Sequence, residues 1–73
     1  MAQLYTLPNC PICMMVKKKL AEKGIPYTEH PFEELPSETT DRAPVLVVED
    51  ELHPGYFIYL LSPTEINEWI KAV

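Results

Sequence analysis

The sequence predicts an α/β domain, a mixed sheet of about four strands with helices packed on it. Three observations lead there. A short apolar strand runs into a proline-started helix and then a second strand, the order that links two parallel strands through a crossover. A late β-branched run, Ala43-Pro44-Val45-Leu46-Val47-Val48, is followed by a polar break of hairpin length, which makes the last strand pair antiparallel. An amphipathic helix then closes the chain behind a capping box. With 73 residues in all, positions 1–73 amount to a single small domain.

Each element has a local cause. Leu4 to Leu7 reads as the first strand, ended by Pro8-Asn9. The first main helix is expected over Pro11–Lys23. Proline suits the first helical position, Gly24 sits where a C-terminal cap belongs, and Pro26 prevents continuation. Cys13, Val16 and Leu20 fall on one helical face, with Lys18, Lys19 and Glu22 on the other. Pro26 to His30 is the second strand. Glu33-Glu34-Leu35 has room for one helical turn before Pro36, and Ser37 can cap another, so any helix here is short or vestigial. Ala43 to Val48 has the β-branched composition of a buried strand. Glu49-Asp50-Glu51 is the break, and Leu52 with its neighbours is expected to return as a short antiparallel strand stopped by Pro54-Gly55. Tyr56 to Leu61 either prolongs that strand or forms an apolar loop. The second main helix, Pro63–Val73, has the clearest start. Ser62 and Glu65 make the capping box, Pro63 takes the first position, and Leu61 with Ile66 is placed as a hydrophobic staple. Ile66, Trp69, Ile70 and Val73 form its apolar face.

Composition excludes several function classes. The chain is 47% apolar and 23% charged, which is globular rather than disordered. Six Lys+Arg against eleven Asp+Glu give a formal charge of −5, which repels phosphate backbones and anionic membranes, so neither nucleic acid nor membrane is an expected partner. The longest apolar stretch, Tyr56 to Leu61, falls far short of the roughly 20 residues of a membrane span. The opening Met-Ala-Gln-Leu-Tyr-Thr lacks the basic start and apolar core of a secretory signal, so the expected address is cytoplasmic and the default state a monomer.

The chemistry centres on Cys10 and Cys13, the two cysteines of the chain. They lie where the first strand hands over to the first helix. Three residues apart on a helix, their sulfurs can meet without backbone strain. Cys10 stands at the helix N-terminus, where free amide N–H groups stabilise a thiolate, while Cys13 is one turn in and faces the core. That asymmetry makes Cys10 the nucleophile and Cys13 the resolving thiol. A zinc site uses the same spacing, and His30 and His53 could complete a Cys2His2 set, although Pro11 and the immediate helix speak against it. Two readings stand for Pro44: a cis proline that frees the Ala43 backbone for an extended substrate, or simply the start of a strand. Lys17, four residues past Cys13, either steadies a thiolate through space or lies along the helix flank. Of the tyrosines, Tyr56, just after Gly55, is the one singled out as a substrate contact.

These residues together resemble the glutaredoxins and the glutaredoxin-like redoxins that feed ribonucleotide reductase. Tyr5-Thr6, Pro8-Asn9-Cys10-Pro11-Ile12-Cys13, Lys17 and Ala43-Pro44-Val45 carry the resemblance, which covers essentially the whole chain. It implies a thioredoxin-like fold, a cis bond at Pro44, and an electron carrier that reduces protein disulfides through the Cys10–Cys13 dithiol. Pro11, Ile12, Ala43, Pro44, Val45 and Tyr56 would then form the substrate site, with no tightly bound cofactor. The expected partners are a disulfide-bearing protein, with ribonucleotide reductase one instance, and either a flavoprotein reductase or glutathione as electron source. The alternatives are a glutathione-dependent glutaredoxin acting on mixed disulfides and a module binding zinc or an iron–sulfur cluster through the cysteine pair. The sequence departs from the family in places. Leu7 stands where glutaredoxins usually have lysine, and Arg42-Ala43-Pro44 replaces Thr-Val-Pro. Gly55-Tyr56-Phe57 stands in for a Gly-Gly-acidic segment that holds glutathione, while Pro11-Ile12 differs from the Val-Gln of the reductase-linked redoxins. With these losses and a charge of −5, anionic glutathione is expected to be a poor reductant.

Overall fold

A computed structural model describes residues 2–36 and 42–73. The elements run β1 (Ala2–Thr6), α1 (Pro11–Glu22), β2 (Tyr27–Pro31), a single 3-10 turn (Phe32–Glu34), β3 (Val45–Glu49), β4 (Phe57–Leu60) and α2 (Pro63–Ala72). The four strands form one sheet in the order β2-β1-β3-β4. β1 and β2 are parallel, while β3 runs antiparallel to both β1 and β4. This is the thioredoxin-like arrangement expected from the sequence, with the helix between β2 and β3 reduced to a 3-10 turn among the described residues. Ser37, expected to cap a second turn, lies outside them.

The burial pattern explains the strand order. All of Val45, Leu46, Val47 and Val48 are buried, as a central strand covered on both faces requires. β1 alternates, with Ala2 and Leu4 buried and Gln3 and Tyr5 half-buried. In register, Leu4 faces Leu46 and Leu46 faces Leu60, so one sheet face carries an apolar row. Val16 and Leu20 of α1 and Ile66 and Ile70 of α2 cover that row and complete the core, with Ile25, Tyr27 and Trp69 packed at its margin. Lys19 Nζ donates to Asn67 Oδ1 at 2.9 Å and ties the two helices together.

Both helix starts follow the local chemistry anticipated for them. Pro11 and Pro63 occupy first-turn positions, and the Glu65 N–H donates to Ser62 Oγ at 3.2 Å. The capping box is closed differently from the usual form: the Ser62 hydroxyl donates to Glu65 Oε1 at 3.4 Å. α1 stops at Glu22, followed by Lys23 as its cap and Gly24 at φ +69°, in the left-handed region that glycine enters without steric cost. The expected α2 face is correct for Ile66, Trp69 and Ile70, but Val73 lies past the last turn and is exposed.

The hairpin differs from expectation. The loop spans Asp50 to Tyr56, and Leu52 is an exposed loop residue rather than part of a returning strand. Asp50 is the reason. Its Oδ1 accepts the Leu52 N–H at 3.0 Å, and its carbonyl accepts the His53 N–H at 3.3 Å, which holds the chain in a turn. A second turn through Pro54 and Gly55, at φ +96°, brings Tyr56 back so that its carbonyl accepts the Asp50 N–H at 2.9 Å. The apolar stretch after it is therefore the strand, Phe57–Leu60.

Candidate active site

The turn between β1 and α1 presents the cysteine pair. Pro8 and Asn9 reverse the chain, with Asn9 at φ 58°, a conformation asparagine tolerates better than most side chains. Cys10 then caps α1. Its carbonyl accepts the Met14 N–H at 3.1 Å, and its Sγ accepts the Cys13 N–H at 3.1 Å. Cys10 and Cys13 are joined by a disulfide, with their Cα atoms 5.2 Å apart. The two sulfurs differ in access as expected: Cys13 is 1% exposed, whereas Cys10 is half-buried at the helix tip. Pro11 and Ile12 stand exposed between them.

A groove of about 730 Å³ opens at this disulfide. Its walls are the β1–α1 turn from Thr6 to Cys10, the flank of α1 at Cys13, Met14 and Lys17, and the end of β2 with the 3-10 turn, Glu29 to Glu33. The C-terminal ends of two parallel strands thus frame the reactive pair, the usual place for a site in such sheets. Lys17 is not directed at a sulfur. Its ammonium lies 3.1 Å from Glu29 Oε2, which also accepts from the Thr6 hydroxyl at 2.8 Å. The Thr6 hydrogen bond first, then Lys17, holds the Glu29 carboxyl below its ordinary value. On the neighbouring strand position, His30 stacks on Tyr5 with ring centroids 5.2 Å apart and lies 3.4 Å from Glu34.

The remaining candidates are placed by the sheet register. The Ala43–Pro44 peptide bond is cis. Because Val45 pairs with Tyr5, Pro44 enters the sheet beside the end of β1 from which the cysteine turn departs. Pro44 and Val45 are fully buried, however, and Ala43 is half-buried, so side-chain contact with a substrate is closed off at the first two. Tyr56 is corrected outright. It precedes Phe57, which pairs with Glu49, and Val48 pairs with Ala2 at the start of β1. Tyr56 therefore sits at the end of the sheet opposite Cys10 and does not share the site. His53 lies in the same distant loop, so the Cys2His2 set considered from the sequence is not assembled. No group of three or more His, Cys, Asp or Glu among the described residues could hold a metal ion.

Glu29, Phe32 and Glu33 carry no motif in the sequence, and Thr6 entered only through the resemblance, with no role assigned to it. The available signal was the parallel β1–β2 pairing: it sets Leu4 against Glu29, so the residues ending the second strand had to flank the cysteine turn.

Comparison with known proteins agrees with this geometry. No helix among the described residues is long and apolar enough to cross a membrane. A search of curated proteins finds no match. Among solved structures, TDR1 of Leishmania, a trimeric glutathione transferase, superposes with a TM-score of 0.74 at 20% identity, over 97% of this chain and 17% of that one. The chain thus spans about a sixth of that protein, and the likeness is one of fold. A model of the glutaredoxin family matches residues 2–53, which include β1, the cysteine pair, α1, β2 and β3. On that match and the redox-active Cys10–Cys13 pair it contains, the chain belongs to the glutaredoxin family.

Proposed function

We propose that the protein is a dithiol–disulfide oxidoreductase that reduces protein disulfides through Cys10 and Cys13. One observation carries this reading: a disulfide at the tip of α1 with one sulfur reachable and the other buried. In the reduced protein the Cys13 N–H that now meets Cys10 Sγ would stabilise a Cys10 thiolate, and the positive end of the α1 dipole adds to this. The thiolate attacks one sulfur of a substrate disulfide. A Cys10–substrate disulfide forms, and the other substrate sulfur leaves as a thiolate. Cys13 then attacks Cys10 Sγ, forming the intramolecular disulfide, and its proton passes to the second substrate sulfur, which leaves as a thiol. Two electrons pass from the dithiol to the substrate. A reductant then restores the dithiol, either a flavoprotein reductase or glutathione.

The test is NADPH consumption with an insulin-type protein disulfide, once with thioredoxin reductase and once with glutathione and its reductase. Cys10→Ser is expected to reduce turnover to background in any system that supports the wild type. Cys13→Ser is expected to form the substrate adduct, visible by mass, without releasing it. Undiminished turnover by Cys10→Ser would overturn the assignment.

A further inference from the structure

The groove beside the disulfide holds a charge arrangement that bears on substrate choice. Lys17 is the only lysine or arginine lining it among the described residues, and its ammonium is already taken by Glu29 at 3.1 Å. A second carboxylate, Glu33, lies on the same wall with no opposite charge paired to it among the ion pairs of the described residues. Counting Lys, Arg, Asp and Glu alone, the formal balance along the wall is thus one positive charge against two negative, with His30 already facing Glu34 at 3.4 Å. Glu29 keeps its own charge firmly, since the Thr6 hydroxyl and Lys17 both bind the same oxygen.

We infer that Glu29 is a specificity-determining residue, which by occupying Lys17 and leaving the groove net acidic selects disulfides flanked by basic residues and disfavours carboxylate-rich thiols such as glutathione. This rests on the proposed dithiol activity and names its substrate class. A carboxylate arriving at Cys10 finds no uncommitted ammonium on the wall and meets the Glu33 charge. A lysine or arginine beside the scissile disulfide meets the carboxylates of Glu33 and Glu29 that line the groove. At partly exposed sites a unit charge several ångströms away changes an encounter rate by about three- to tenfold at low salt, and less as salt rises.

The experiment uses pre-reduced protein and three dequenching disulfide peptides identical except for flanking Lys, Gln or Glu pairs. Single-turnover rates are read at low and at physiological ionic strength. The wild type is expected to reduce the Lys peptide at least about tenfold faster than the Glu peptide at low salt, with the Gln peptide between them. Glu29→Gln, which frees Lys17, is expected to shrink that ratio about three- to tenfold, mainly by accelerating the Glu peptide. Glu51→Gln, in the hairpin loop at the opposite end of the sheet, alters the net charge equally and is expected to leave the ratio within about twofold, which separates the groove from the field of the whole molecule. Equal rates for all three peptides, or a ratio that Glu51→Gln lowers as much as Glu29→Gln, would overturn the inference while leaving the oxidoreductase reading intact. Failure to reduce even the Gln peptide would instead sink the oxidoreductase reading.

Discussion

Glu29 shows how much one side chain can organise. It sits on β2, yet it binds Thr6 of β1 and Lys17 of α1, so three elements meet at one carboxylate beside the disulfide. Its folded-state ionisation is shifted below the ordinary 4.5. A depressed carboxylate contributes stability above its unfolded value and loses it as pH falls through the folded one. The contribution is therefore complete at neutral pH and disappears below 4.5. Because the Lys17 and Glu29 side chains are 34% and 43% exposed, solvent screening keeps the pair's worth below about 1 kcal/mol. Melting curves of wild type and Glu29→Gln are expected to differ slightly at pH 7 and to converge at strongly acidic pH. A gap of constant size across that range would mean that the amide disturbs packing and that the ion pair does not matter.

The elements divide into those set by local chemistry and those set by pairing. Helix starts are local: a proline at the first position and a side chain able to accept a backbone N–H suffice, and both are visible in sequence at Pro11 and at Ser62-Pro63. Ser62→Ala, which removes the acceptor of the Glu65 N–H, is expected to cost about 1 kcal/mol in denaturant melts while leaving the single-turnover rate of Cys10 unchanged. The cysteine pair was legible for the same reason, since its geometry depends on one helical turn. The hairpin was not. Asp50 extends the turn through its own side chain, and an apolar run such as Phe57-Ile58-Tyr59-Leu60 suits a strand or a covered loop until a partner is specified. Tyr56 and Glu29 illustrate the cost of that gap. Tyr56 follows a glycine, as a family substrate segment does, but the register carries it to the far end of the sheet. Glu29 resembles any exposed strand glutamate until β2 is laid parallel to β1 and its carboxylate meets Lys17.

At the scale of the molecule, the dithiol–disulfide exchange proposed for this protein requires it to stay folded in both redox states, and its core is built independently of the disulfide. The apolar cluster that joins the sheet to both helices contains neither sulfur: it runs through Leu4, Leu20, Leu46, Leu60, Ile66 and their neighbours. The disulfide closes only the short loop of sequence separation 3, for which chain entropy predicts at most about 2 kcal/mol. A domain of 73 residues has a total stability of roughly 4–11 kcal/mol, so losing the disulfide leaves a folded protein. The core is less forgiving. Leu46 is fully buried on β3, flanked by Leu4 on one side and Leu60 on the other, and Leu46→Ala is expected to cost about 2–5 kcal/mol through lost burial and the cavity left behind. The apolar cluster that contains Leu46 includes neither cysteine, so the two losses are expected to add. Urea melts followed by far-UV circular dichroism, with and without dithiothreitol, check this. Reduced wild type and oxidised Leu46→Ala should each retain a cooperative transition at a lowered midpoint, and reduced Leu46→Ala should have the lowest midpoint of the four. Loss of the transition in reduced wild type alone would place the stability in the disulfide, and a carrier that unfolds whenever it is charged with electrons could not hold Cys10 ready for its next substrate.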